Sequence, residues 1–106
     1  MAGMFHHIVL LRFTAESTPD HHRAVVDGLR PLPESIPDLR SYEVHLDAGL
    51  GVENAQVSVH ATFDDEAGWH AYGNHPAHVR VIEERIAPIL ESALRTQYDD
   101  AAEADS

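Results

Sequence analysis

A chain of 106 residues is long enough for one compact domain and too short for two. At 43% hydrophobic it can bury a real core, and with no cysteine it excludes disulfides, thiolate metal sites and thiol catalysis. The net charge of -11, from 18 acidic and 7 basic residues, opposes binding to phosphate backbones or anionic lipid and fits a solvated, soluble surface.

Residues 5–13, "FHHIVLLRF", read as a strand. Phe5, His7, Val9, Leu11 and Phe13 fall on one face, and His6, Ile8, Leu10 and Arg12 on the other. Apolar residues on both faces require both to be covered. A helix follows, with Thr18 as N-cap, Pro19 at the first helical position, and Val25, Val26 and Leu29 as its core stripe. His21 and His22 are expected to face solvent. Pro31 and Pro33 stop the helix, and "PESIPD" is a loop.

Residues 39–47 alternate again, with Tyr42, Val44 and Leu46 on one face. So do residues 56–63, where Val57, Val59, Ala61 and Phe63 share a face. The glycine-bearing connection between them suggests an antiparallel pair. "DDEAGWHAYGN" opens with acids suited to a helix start, and Trp69 and Tyr72 share a helical face. Pro76 begins a second helical segment, capped by His75 or Asn74, with an apolar stripe of Val79, Ile82, Ile86, Ile89 and Leu90 that Pro88 thins at its end. "SALRTQY" forms a final strand, with Tyr98 expected at a dimer edge. Residues 99–106 lack an apolar stripe and are expected to be a disordered acidic tail, leaving 1–98 as the domain.

The order β-α-β-β-α-β predicts an α+β, ferredoxin-like fold, an antiparallel sheet with its helices on one face. Those helices cover only one sheet face, so a second copy of the chain is the simplest cover for the other. No apolar run is long enough to span a membrane, and the start lacks the basic region of a signal peptide. All basic residues are Arg, which fits a GC-rich bacterial source, and the expected location is cytoplasmic.

"HHIVLLRF", "IPDLRSYEV" and "TFDDEAGWHAYGNHPAHVRV" together resemble the stress-responsive dimeric α/β-barrel (Dabb) family over roughly residues 5–98. The resemblance implies a homodimer whose two sheets meet back to back as a barrel. Each subunit then keeps a cavity between helices and sheet. Family members include plant stress proteins and a plant polyketide cyclase that closes a linear polyketide by aldol chemistry with a Tyr and a His and no metal. By this resemblance Tyr72 and His78 match the catalytic pair, and His7 matches a cavity-lining histidine. Leu29 and Val57 stand where the family has a cavity tyrosine and a cavity histidine, so the pocket is remodelled and the same substrate is not expected.

The residues carry their own argument. His78 lies one turn before Ile82 and so shares the sheet-facing stripe. There it either donates to a backbone carbonyl and fixes the helix, or serves as a desolvated, neutral base. Tyr72, on the preceding segment, can hold an oxyanion. His7 is either a satisfied core histidine or a cavity residue beside His78. His75 reads as a helix cap, and Trp69 as a packing anchor beside the pocket. The histidine spacings match no zinc signature, and there is no phosphate loop or serine nucleophile elbow. No cofactor and no metal are therefore expected. Two functions follow. One is a cofactor-free cyclase or isomerase using His78 and Tyr72 on a carbonyl or polyketide substrate, with His7, Leu29, Val57 and Trp69 lining the site. The other is a non-catalytic, stress-related or small-ligand-binding dimer.

Overall fold

The computed structural model describes residues 3–101. β1 (Phe5–Phe13) leads to α1 (Pro19–Leu29), a 3-10 turn (Leu32–Glu34), β2 (Ser41–Leu46) and β3 (Val57–Phe63). There follow α2 (Glu66–Asn74), α3 (Pro76–Val81), a π-helical turn (Ile82–Ile86), a 3-10 turn (Ala87–Ile89) and β4 (Leu90–Asp99). The strands form one antiparallel sheet in the order β2-β3-β1-β4, the ferredoxin-like arrangement expected from the element order.

Alternation decides which sheet face meets the helices. His7, Val9, Leu11 and Phe13 of β1 and Val57, Val59, Ala61 and Phe63 of β3 are all buried. Val9 stands opposite Val59 and His7 opposite Ala61, so these side chains form one continuous floor. α1 lies on it through Val25, Val26 and Leu29. Burying each such side chain stabilises by about 1.5–3 kcal/mol relative to exposure. The start of α1 is fixed by a capping box: Thr18 Oγ1 accepts from the His21 N–H at 3.2 Å, and His21 Nδ1 accepts from the Thr18 N–H at 3.0 Å.

α2 can sit close to β3 because Gly68 has no side chain. A Cβ there would stand 3.1 Å from the Phe63 Cβ. Asp65 caps α2 by accepting from the Gly68 N–H at 3.1 Å. His75, as expected, starts α3, its Nδ1 accepting from the Ala77 N–H at 3.1 Å. Pro88 has no N–H to continue an α-helical ladder, and the chain there is wound as π and then 3-10 turns.

Several details differ from the sequence reading. His22 is half-buried rather than solvent-facing: its ring stacks on Phe13 at 5.1 Å and bonds Ser17 Oγ at 2.8 Å. The stripe after Pro76 runs through His78, Val81, Ile82 and Ile86. Val79 points outward, because a 3.6-residue period from His78 selects positions 81 and 82. The "PESIPD" loop adds to the core, with Ile36 fully buried beside Leu32. β4 passes residue 98: Asp99 pairs with Phe5, and Asp100 accepts from the Met4 N–H and the His6 ring at 2.8 Å each. The expected acidic tail beyond that, residues 102–106, lies outside the described residues.

The opposite sheet face has no cover among the described residues. Leu10 and Leu94, cross-strand partners on β1 and β4, are 41% and 74% exposed. The polar groups around them are bonded to one another. His6 bonds His60 at 2.9 Å and Asp100 at 2.8 Å, and the Tyr98 ring stacks on His6 at 4.4 Å. No helix among the described residues is long and apolar enough to cross a membrane.

Candidate functional site

Between the helices and the sheet lies a cavity of about 190 Å³. Its floor is His7, Val9 and Leu11 of β1 with Val59 of β3. Leu29 closes it from α1, and Tyr72 and His78 stand at one end. Ile82, Ile86 and Ala87 form the helical wall, and Leu90 and Arg95 come from β4. The volume is below the ~300–1,000 Å³ typical of drug-sized ligands, so the cavity fits a small one.

Three sequence-predicted polar residues converge here. The His78 ring lies 4.2 Å from the Tyr72 ring, and the His7 ring lies 6.1 Å from Tyr72 (centroid distances). Leu29 also lines the cavity. Trp69 does not reach its lining but packs behind it, 5.8 Å from His7 and 5.9 Å from Phe5. Val57 is a correction. It is 1% exposed, opposite Leu11, and does not line this cavity; Val59, two residues on and opposite Val9, takes the β3 position.

Each polar group has a defined state. His78 Nδ1 meets the Gly73 carbonyl at 3.3 Å, so Nδ1 carries the hydrogen and Nε2 keeps its lone pair. Nε2 has no hydrogen-bond partner among the described residues. Burial lowers the His78 pKa from its ordinary value, the Gly73 carbonyl partly opposes that, and His75 adds to it. The ring is therefore a neutral base at pH 7. The two readings left open for His78 are thus compatible, since the bond that fixes the ring also frees its second nitrogen.

The Tyr72 phenol is pushed up to about 12 by burial, partly offset by its hydrogen bond with Tyr42. The two hydroxyls are 2.9 Å apart. Burial likewise raises Tyr42, so both stay protonated at neutral pH. Either hydroxyl can donate across this pair; when Tyr42 does, the Tyr72 O–H is left to donate into the cavity. His7 is pushed down to about 4, first by burial, then by repulsion from His78 when that ring is protonated, and then by the Arg95 charge. Gln97 Nε2 donates to its Nδ1 at 2.7 Å, which places the ring hydrogen on Nε2. His7 is then a neutral donor at pH 7 and a weaker base than an ordinary histidine.

Tyr42, Gln97 and Arg95 were not singled out from the sequence. Tyr42 was visible as a core-face residue of its strand, but its partner depends on the α2–β2 approach. Gln97 and Arg95 follow from alternation in the last strand once its register with β1 is known: Gln97 lies opposite His7 and Arg95 opposite Val9.

The His7 environment predicts a pH effect on stability. The unfolded chain takes up this proton near 6.5 and the folded chain near 4. Its contribution is therefore complete above pH 6.5 and is lost as pH falls towards 4. The full displacement corresponds to about 3 kcal/mol at ~1.4 kcal/mol per unit. Water at the cavity mouth reduces this, and about 1–2 kcal/mol is expected at pH 5. Urea unfolding of the wild type and His7→Gln at pH 7 and pH 5 checks it. The wild type should lose more stability than the variant on acidification, and equal losses would refute the assignment.

The profile of the "Stress responsive A/B Barrel Domain" family matches residues 5–100. Among solved structures, a dimeric ferredoxin-like protein of unknown function from Thermobifida fusca YX is 34% identical, with 93% of this chain and 92% of that chain covered at a TM-score of 0.82. A dimeric protein of unknown function with a ferredoxin-like fold, from Bacteroides fragilis, is 25% identical, covering 91% of this chain and 95% of that chain, also at 0.82. A hydroxynitrile lyase from Passiflora edulis is 16% identical over 93% of this chain and 92% of that chain, with a TM-score of 0.78; this likeness concerns the fold alone. No curated protein matches the sequence.

Proposed function

The chain belongs to the stress-responsive A/B barrel domain family, and on that premise we propose that it is a cofactor-independent enzyme that removes a proton beside a carbonyl group in a small substrate. The observation that carries the reading is the state of His78: neutral, fixed through Nδ1 to the Gly73 carbonyl, with Nε2 unpartnered in a cavity it shares with a protonated tyrosine. In the reaction the C–H bond breaks and its proton passes to His78 Nε2. The electron pair moves to the carbonyl oxygen, and Tyr72 donates a hydrogen bond to the enolate that forms. Returning the proton to a different carbon gives an isomerase. Attack of the enolate on a second carbonyl of the same molecule gives a cyclase acting on polyketide-like chains.

The test needs no knowledge of the natural substrate. Acetophenone in D2O, followed by proton NMR, should exchange its methyl hydrogens faster with the protein than with free imidazole at the same concentration. His78→Ala should return exchange to the imidazole rate. No acceleration by the wild type would favour the second reading, a non-catalytic dimer that binds a small ligand in this cavity.

The same premise gives the assembly. Ile8, Leu10 and Leu94 leave an apolar patch on the open sheet face, and the neighbours from Thermobifida fusca and Bacteroides fragilis are dimeric. A homodimer with sheets back to back covers that patch. Light scattering should give twice the chain mass of 11.7 kDa. Leu94→Asp, which places a charge in the centre of the patch, should give the monomer mass. A wild-type monomer, or a Leu94→Asp dimer, would refute this arrangement.

A further inference from the structure

We propose that Arg95 is the anchor for a carboxylate on the ligand of the His7–Tyr72–His78 cavity, so that the ligand class is a small carboxylic acid. This rests on the cavity being a ligand site, as proposed above, and it names the substrate class for that site.

The chain has 18 acidic residues against 7 arginines, so an arginine has carboxylates within easy reach almost anywhere on the surface. Arg12, Arg23 and Arg40 are paired with Glu91, Asp20 and Asp64. Arg30 and Arg85 donate to the backbone carbonyls of Val44 and Ala24. Arg95 has neither kind of partner among the described residues. Arg80 also lacks one, but it lies on the exposed side of α3 and touches no cavity.

Arg95 sits on the cavity side of β4, opposite Val9, with Gln97 and Ala93 as its neighbours on that face. Its side chain reaches the cavity lining. No carboxylate lines the cavity, and both histidines there are neutral at pH 7. The lining therefore carries one full positive charge, on an exposed arginine at the β4 edge, in a protein of net charge -11. Its field reaches the cavity, since the Arg95 charge adds to the burial that holds the His7 pKa down.

One planar guanidinium matches one planar carboxylate by paired N–H donors. A phosphate dianion would leave a charge with no second cation to meet it. The remaining walls, Val9, Leu11, Leu29, Val59, Ile82 and Ile86, accept an apolar body. Hence the ligand is a small acid with an apolar body, its carboxylate at the β4 mouth and its reactive carbon towards His78 and Tyr72.

The experiment is an NMR titration of the full chain at pH 7.5 and low salt with two probes of the same shape, benzoate and benzamide. Benzoate should shift the signals of His7, Leu90 and Arg95 and bind about tenfold or more tightly than benzamide, the worth of one charge-assisted hydrogen-bond pair. Arg95→Gln should remove that margin, while Arg80→Gln should keep it. Equal affinity for the two probes, no binding in the cavity, a margin that survives Arg95→Gln, or tighter binding of phenyl phosphate than of benzoate would each overturn the proposal. His78→Ala should retain the benzoate margin. A retained margin with no proton exchange by the wild type would therefore refute the catalytic reading alone, and exchange with no margin would refute the anchor alone.

Discussion

Replacing His78 with alanine is expected to lower the rate of proton removal by about 10²–10⁴-fold, the usual worth of a general base, with the fold intact. The ring is half-buried and bonds one backbone carbonyl at 3.3 Å, so α3 does not depend on it for its start. His75 and Pro76 supply that start. His7 cannot substitute efficiently, because with a pKa of about 4 it is a poor proton acceptor. Tyr72→Phe should reduce the rate less, since the base remains and only the donor to the enolate is lost. The wild-type rate should be level at pH 7 and fall in acid below 6.5, as the lowered pKa of His78 is reached and the base is lost to protonation. An exchange assay on the three proteins between pH 5 and 8 checks all of this. A His78→Ala protein with wild-type rate would remove His78 from the reaction.

Phe63→Ala is expected to cost about 3–5 kcal/mol of stability, the range for truncating a fully buried aromatic. Phe63 is 0% exposed at the end of β3, where Gly68 of α2 rests on it and the Tyr72 ring lies 5.5 Å away. The cavity left behind would loosen the seat of α2, the segment that carries Tyr72. At about 4–8 °C per kcal/mol for a domain of this size, the melting temperature should fall by well over 10 °C. Calorimetry measures it. A fall of less than about 4 °C would mean that α2 is held from elsewhere.

The fold was legible because alternation and helix signals agreed along the chain. Thr18-Pro19 and His75-Pro76 mark helix starts by chemistry that survives in any tertiary context. The face of β1 that holds His7 could be read from Val9 and Leu11 alone. What pairs across the cavity could not, because it depends on register and on helix approach. Arg95 and Gln97 enter the site only through their positions opposite Val9 and His7 on a strand distant in sequence. Tyr42 enters only because α2 brings the Tyr72 hydroxyl within 2.9 Å of it. The resemblance puts Val57 in the pocket; in the structure Val57 is buried between Leu11 and Leu46 in the sheet, and Val59 lines the cavity instead. Val79 and Val81 both lie in α3, before the π and 3-10 turns; the exposure of the first and burial of the second follow from the α-helical period set by His78, which a stripe counted from Val79 misses.

The central claim is the protonation state of His78, and nitrogen-15 NMR of the uniformly labelled chain at pH 7 reads it directly. The His78 ring should be neutral, with its hydrogen on Nδ1 bonded to Gly73 and an unprotonated Nε2 whose shift moves when a ligand enters the cavity. A His78 that is an imidazolium at pH 7, or a neutral ring protonated on Nε2, would leave no base in the cavity and contradict it.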